Sequence, residues 1–256
     1  MAPREQVKSD VFESRVSEGD LDWFRRRFHI PEDYTLSVTN KNAHEPYTGF
    51  EKLVVYKDQM EGALRFPLDP FVKLFLNRYN IAPRQLHPNS YRILTRYLEL
   101  MHRKGVDPNL DMLRYVYSLT KKKGELAFSF SAVPSLNIFA RLKDLPKSWR
   151  HMYFIVEHKS DFSDIRCLWV DECHKVRCPQ LPSAHSTLLS KLHEEYLAKR
   201  ISTSNCSSRY VQRMYPRSRV SNGESLFFQR YFLTLFSFSF LCRWLTIFHL
   251  SMGCQF

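Results

Sequence analysis

The chain predicts an α+β fold: a helical centre with a small antiparallel sheet, then a disordered basic linker and an apolar C-terminal tail. Three observations predict it. Between Val55 and Leu94, aromatic and aliphatic residues alternate with Pro, Asp and Asn at positions that start helices. Residues Glu125 to Ala132 (ELAFSFSA) alternate apolar and polar with period two, as a half-buried strand does. From Lys199 to Arg230 the basic residues Lys199, Arg200, Arg209, Arg213, Arg217, Arg219 and Arg230 face one acid, Glu224, among Ser, Asn and Thr.

Along the chain, residues 1–17 are expected to be a mobile arm. Glu18 to Phe28 predicts a first helix, with Asp20 as N-cap and Leu21, Phe24 and Phe28 at helical spacing; Pro31 stops it. Thr39 to Thr48 is polar and reads as a loop. Leu53 to Tyr56 and Ala63 to Phe66 are short strand-like runs, and Lys57 to Gly62 between them suggests a hairpin turn.

Asp69 and Pro70 then supply an N-cap and a first-turn proline for a helix to about Tyr79, whose buried face would include Phe71, Leu74 and Phe75. A stronger helix follows Pro88, from Asn89 to Lys104. Tyr91, Leu94, Thr95, Leu98 and Met101 form its stripe and Gly105 its C-terminal stop. Asp107-Pro108 opens a further helix through Leu110, Leu113, Val116, Tyr117 and Leu119, with Lys121 to Lys123 complementing the helix dipole. Met152 to Val156 is a fully apolar strand expected to join the sheet of Glu125 to Ala132, with Trp149 capping the core. Thr187 to Lys199 is an amphipathic helix candidate. The domain boundaries read as 1–17, 18–170, 171–230 and 231–256.

With 256 residues, 44% hydrophobic and 14% aromatic, one core of ordinary size is within reach. A net charge of +12 and a pI near 9.5 favour polyanionic partners, against the blander reading of good solubility. The six cysteines all follow residue 166, outside the main core pattern, so they read as reduced thiols of an intracellular protein of nucleus or cytoplasm. The start of the sequence is polar and shows no signal peptide. Tyr231 to Leu250 carries one charge, Arg243, and is long enough to span a bilayer. It competes as a tail anchor, a β-prone tail or a read-through from neighbouring sequence.

Catalytic patterns are missing. Polynucleotide transfer by two metal ions needs clustered carboxylates, commonly an Asp with a Glu about thirty-five residues further on. Asp33, Asp69, Asp107 and Asp111 lead at that spacing to Asp69, Gly105, Lys143 and Lys147. A transposition enzyme would have to draw on Asp69, Glu99, Asp107 and Asp111. No phosphate-cradling Gly-x-x-x-x-Gly-Lys loop and no Gly-x-Ser-x-Gly elbow occur. Among Cys167, Cys173, His174, Cys178, His185 and His193, the four residues between Cys173 and Cys178 suit zinc but the seven between His185 and His193 do not, so neither a metal nor any cofactor is expected.

The candidate nucleic-acid-binding residues are Arg25, Arg26 and Arg27, beside Trp23, Phe24 and Phe28, and Arg209, Arg213, Arg217 and Arg219 in the basic linker. Arginines mixed with aromatics can grip phosphates and stack on bases. The reading of Phe24 and Phe28 as core is favoured over stacking.

In Trp23 to Leu36 (WFRRRFHIPEDYTL) and in MEGALRFPLDPFVKLFLNRYNIAPRQLHPNSYRIL, the chain resembles plant proteins with the gypsy-type transposon, or transposase-like, domain. The resemblance continues more loosely through GVDPNLDMLRYVYSLT, FSFSA and Trp149 to Val156, covering roughly Leu21 to Trp169. It implies a product of a long-terminal-repeat retroelement and transfers no catalytic residue. Family members often carry coiled-coil tails, and this chain leaves the pattern after about Trp169. The expected function is that of a non-enzymatic domain binding an unknown protein partner or itself, with weak nucleic-acid affinity. The alternatives are a transposase, or a membrane protein anchored through 231–250.

Overall fold

The computed structural model describes residues 13–38, 51–121, 127–133, 136–139, 142, 145, 147–170, 172–175, 178–197 and 206–215. All belong to one compact unit, Met1–Arg217; a second unit, Ser218–Phe256, lies outside the described residues, and with it the apolar tail. The loop expected over Thr39 to Thr48 and most of the N-terminal arm also lie outside them.

The elements run α1 (Glu18–Phe28), β1 (Thr35–Ser37), β2 (Lys52–Tyr56), α2 (Lys57–Glu61), α3 (Pro70–Tyr79), α4 (Pro88–Arg103), α5 (Leu110–Val116), β3 (Tyr117–Lys121), β4 (Phe128–Ala132), β5 (Tyr153–Glu157), α6 (Ser183–Leu197) and α7 (Cys206–Met214). Short 3-10 turns occupy Pro83–Gln85 and Lys147–His151. The result is α+β, with two small antiparallel sheets, β1-β5-β2 and β3-β4.

The helix starts follow their capping chemistry. Ser17, not Asp20, caps α1; Asp20 sits one turn in, where its carboxylate accepts from Ser17 N (2.8 Å) and Ser17 Oγ (2.7 Å). Those bonds hold the Asp20 carboxyl below its ordinary range. Asp69 Oδ1 accepts from Phe71 N at 2.7 Å, and Pro70 opens α3 as expected. Leu74, read as core, is 54% exposed: α3 buries Phe71, Val72, Phe75, Leu76 and Tyr79, a stripe rotated away from it. In α4 the whole expected stripe is buried, and Gly105 stops the helix at φ 65°.

Three expectations need correction. The hairpin over Leu53 to Phe66 does not form. β2 pairs with β5 (Val55 opposite Phe154), and Lys57 turns the chain straight into α2. Buried Gln59 fixes this turn: Oε1 accepts from Tyr56 N, while Nε2 donates to Pro83 O (2.9 Å) and Leu86 O (2.8 Å). The helix from Asp107 does not continue through Leu119. After Val116 it becomes β3, because Tyr117 and Leu119 alternate with Ser118 and Thr120. Finally, β4 and β5 occupy different sheets: β4 pairs with β3, Tyr117 opposite Ala132.

The basic linker also proves partly folded. Residues 206–214 form α7, which docks on α4. Tyr210 is buried and its hydroxyl donates to Asp69 Oδ2 at 2.7 Å. Arg213 Nε donates to Glu99 Oε2 at 3.2 Å, and Tyr215 OH donates to Pro67 O at 2.8 Å. Asp161 ties another corner together, accepting from Tyr34 OH (2.9 Å) and Leu68 N (3.1 Å) and pairing with Lys73 Nζ (2.9 Å).

Two tests follow from the packing. A Cβ at Gly62 would lie 2.6 Å from Pro88 O and 3.0 Å from Gln59 O, both backbone atoms. Gly62→Ala is expected to destabilise by about 1–3 kcal/mol, read as a lower urea midpoint; an unchanged midpoint contradicts the close approach of α2 to α4.

The second test concerns alkaline pH. Burial raises the phenols of Tyr91, Tyr97, Tyr117 and Tyr210 above their ordinary value. Each then holds its proton in the fold after the unfolded chain has lost it. The stability they contribute is complete below about pH 10 and is lost as pH rises beyond it, by up to about 1.4 kcal/mol per pH unit for each tyrosine. The urea midpoint should hold to about pH 9 and drop steeply above about pH 10. Reversible titration of all 13 tyrosines in the folded protein near the ordinary value, seen by tyrosinate absorbance, contradicts this.

Candidate nucleic-acid interface

Helix α1 divides by its own periodicity. Leu21, Phe24 and Phe28 face inward, and Phe24 stacks on Phe154 of β5 with ring centroids 4.9 Å apart. Trp23, Arg26 and Arg27, at helical spacing on the other side, are exposed, Trp23 by 45%. Among the described residues neither Arg26 nor Arg27 forms an ion pair; Arg26 Nε donates only to the Asp22 carbonyl one turn back. The mixture of aromatic and arginine read from the sequence is thus split: the phenylalanines are core, as expected, and the indole stays outside with two cations.

Arg25 is not part of that face. Its Nη1 donates to Pro31 O and its Nη2 to Tyr34 O (2.7 Å), with Glu32 at 3.6 Å, so it fastens the end of α1 to the chain leading into β1. On α7, Arg213 is held by Glu99 and lies over the Tyr210 ring, whereas Arg209 is exposed and forms no ion pair among the described residues. Arg217 and Arg219 lie outside the described residues.

The fold brings α1 and α7 to a common neighbour that sequence reasoning missed, Arg65. Its guanidinium lies over the Phe28 ring, 5.4 Å from the centroid, and donates to the carbonyls of Met60 and Leu64. Tyr215, Glu61, Arg27 and Tyr210 act on its charge after the larger effect of burial. Burial pulls its pKa down to about 10, which leaves it charged at neutral pH. The available signal was Arg65 itself, a cation inside the apolar run Ala63 to Phe66; that run was instead read as a strand.

Three of the four acids that a transposition enzyme would draw on have structural occupations. Asp69 caps α3 and accepts from Tyr210, Glu99 holds Arg103 and Arg213, and Asp111 pairs with Arg114. Asp107 is exposed. Among the described residues, no group of three or more His, Cys, Asp or Glu could hold a metal ion. Cys167 is buried, which pushes its thiol up to about 11, and burial likewise raises Cys173; Cys178 is exposed. His174 N donates to Tyr79 O, and His193 Nδ1 lies 2.7 Å from Asn137 O. No described helix is long and apolar enough to cross a membrane.

No curated protein matches the chain, and no solved structure matches it. A family model described as "Putative gypsy type transposon" matches residues 54–121, the stretch from β2 through α2, α3, α4 and α5 to the end of β3. That stretch contains the capped helices α3 and α4 and the buried Gln59 turn, and over residues 54–121 the chain is similar to the domain that this family model describes.

Proposed function

We propose that this is a retroelement-derived, non-enzymatic recognition domain of the nucleus or cytoplasm. It binds a protein partner or a second copy of itself, and holds nucleic acid weakly through basic surface segments. The observation that carries the nucleic-acid part is the outer face of α1. Trp23, Arg26 and Arg27 stand exposed together, with no carboxylate paired to either arginine among the described residues. Arginines of that kind neutralise phosphates and release counterions, and an exposed indole offers a stacking surface to any base. Arg209 adds a further exposed cation on α7. The engagement of Asp69 and Glu99 with α7 supports a role for these acids in packing.

Titration of the full chain against single-stranded DNA and RNA tests this reading. Affinity should fall as salt rises, and the double variant Arg26→Gln/Arg27→Gln should flatten the log–log salt dependence by roughly 1.4, two single-strand phosphate contacts' worth. Trp23→Ala should weaken binding without changing that slope. Binding absent at low ionic strength, or a double variant with an unchanged slope, contradicts the assignment.

A further inference from the structure

Helix α7 covers two acids of the body of the fold. With it in place Asp69 is 8% exposed and Glu99 5%. Each acid uses one oxygen locally: Asp69 Oδ1 accepts from Phe71 N at the start of α3, and Glu99 Oε1 takes Arg103 Nε at 3.0 Å. The second oxygen of each serves α7. Asp69 Oδ2 accepts from Tyr210 OH at 2.7 Å, and Glu99 Oε2 from Arg213 Nε at 3.2 Å. Just before α3, Pro67 O accepts from Tyr215 OH at 2.8 Å. The Arg213 guanidinium lies over the Tyr210 ring, 6.0 Å from its centroid, so phenol and guanidinium are presented as a pair.

The helix itself has little holding it. Tyr210 is its one described side chain that is fully buried; Val211 and Met214 are half-buried, and Ser208, Arg209 and Gln212 face water. A helix of nine residues is marginal in water without a tertiary contact. The surface beneath it is more demanding. If α7 leaves, Asp69 Oδ2 and Glu99 Oε2 both lose their donors, and a carboxylate that loses its donor in a partly buried place is destabilising. The surface therefore favours a helix that returns a phenol and a guanidinium at the same spacing, and selects against one that lacks them.

That spacing, Tyr-x-x-Arg, occurs once in the sequence, at Tyr210 and Arg213. Within this chain, α7 is thus the one segment that fits. Eight residues, 198–205, join it to the end of α6. When two copies exchange α7 reciprocally, both surfaces are filled and no docking contact is lost, so the exchange is opposed chiefly by the entropy of association.

We infer that the surface of α3 and α4 under α7 is a docking site for a tyrosine–arginine helix, and that its partner is α7 of a second copy of this chain. The inference deepens the self-association half of the function proposed above and rests on it; the α1 face plays no part in it.

A labelled, reduced peptide of residues 204–217, titrated by fluorescence anisotropy into full-length Tyr210→Ala/Arg213→Gln, tests the docking site. That variant keeps the site and spoils its own helix. The peptide should bind it saturably, and about tenfold or more tighter than it binds wild type, whose own α7 competes at an effective concentration on the order of millimolar. A Tyr210→Phe peptide should bind about tenfold weaker, the loss of one hydrogen bond to a carboxylate. Arg213→Gln in the peptide and Glu99→Gln in the receiving chain should each weaken binding, and the second should add little once the first is made. Should the double variant show no cooperative urea transition, Arg213→Gln alone, which alters an exposed side chain, takes its place.

Sedimentation tests the second copy. Full-length Tyr210→Ala/Arg213→Gln supplies a site without a helix, and full-length Glu99→Gln a helix with a weakened site. Mixed in equal amounts above the dissociation constant of the peptide, they should form a heterodimer where each alone is monomeric. The inference is overturned if the native peptide does not bind, if the Tyr210→Phe peptide binds as tightly, or if the mixture stays monomeric. Self-association that persists in each variant alone places the dimer contact elsewhere; it sinks this site and leaves the function proposed above standing.

Discussion

Helix α4 has almost no wet side, and that burial organises the described chain. Ser90, Tyr91, Thr95, Tyr97 and Glu99 are buried along with its aliphatic residues, so each polar group needs a partner within the fold. Four of them reach partners on other elements. Ser90 Oγ accepts from Phe130 N and ties on the β3-β4 sheet. Tyr91 OH donates to Pro83 O in the 3-10 turn. Tyr97 OH donates to Asn109 O and accepts from Asn109 N at the start of α5. Glu99 takes Arg103 from its own helix and Arg213 from α7. Thr95 turns back to its own helix, donating to Tyr91 O at 3.0 Å. An apolar stripe would have fixed one face of α4; its polar side chains fix the identity of its neighbours.

This explains which parts of the fold were legible in the sequence. α3 and α4 could be read because their signals are local: Asp69-Pro70 at one start, Pro88 at the other, and Gly105 at the stop. Strand partners are not local. LVVY and ALRF look like a hairpin because they are close in sequence, yet the partner of β2 is β5, and the residues between form a helix pinned by Gln59 to Pro83 and Leu86. In α5 and β3 one apolar series fits both periods; Tyr117 and Leu119 fall on helical spacing and also alternate with Ser118 and Thr120. α7 was hidden for a compositional reason. Tyr210 is its one described side chain that is fully buried, set among Ser and Arg, and its docking rests on hydrogen bonds to Asp69 and Glu99 that no hydropathy pattern records.

The same distinction applies to the arginines. Charge density in the sequence marked Arg25, Arg26 and Arg27 as one group, and the fold divides them: Arg25 is bound to carbonyls, while Arg26 and Arg27 remain exposed. On α7 it separates Arg213, held by Glu99, from Arg209. Arg65 and Arg84 belong to no charge run and so left no compositional trace, yet both are desolvated by the fold. Composition reports how many cations there are; packing decides which of them can meet an anion.

Burial also decides how such a meeting would respond to the medium. Arg26 and Arg27 sit in water, where a Debye length of about 8 Å at physiological salt screens each of them before a ligand arrives. Any attraction of theirs to an anion would therefore be short in reach at that salt, weak per charge and steeply dependent on ionic strength. Arg84 is stacked on Trp169 and half-withdrawn from water, so its field is screened far less, and an anion reaching it would replace solvation the guanidinium has already lost. Gln85, whose Nε2 donates to Val170 O and whose Oε1 accepts from Val170 N, holds the Trp169–Val170 segment against the turn that carries Arg84. Two arginine environments on one small domain thus differ in kind: Arg26 and Arg27 lie in water, and Arg84 is withdrawn from it against an aromatic ring.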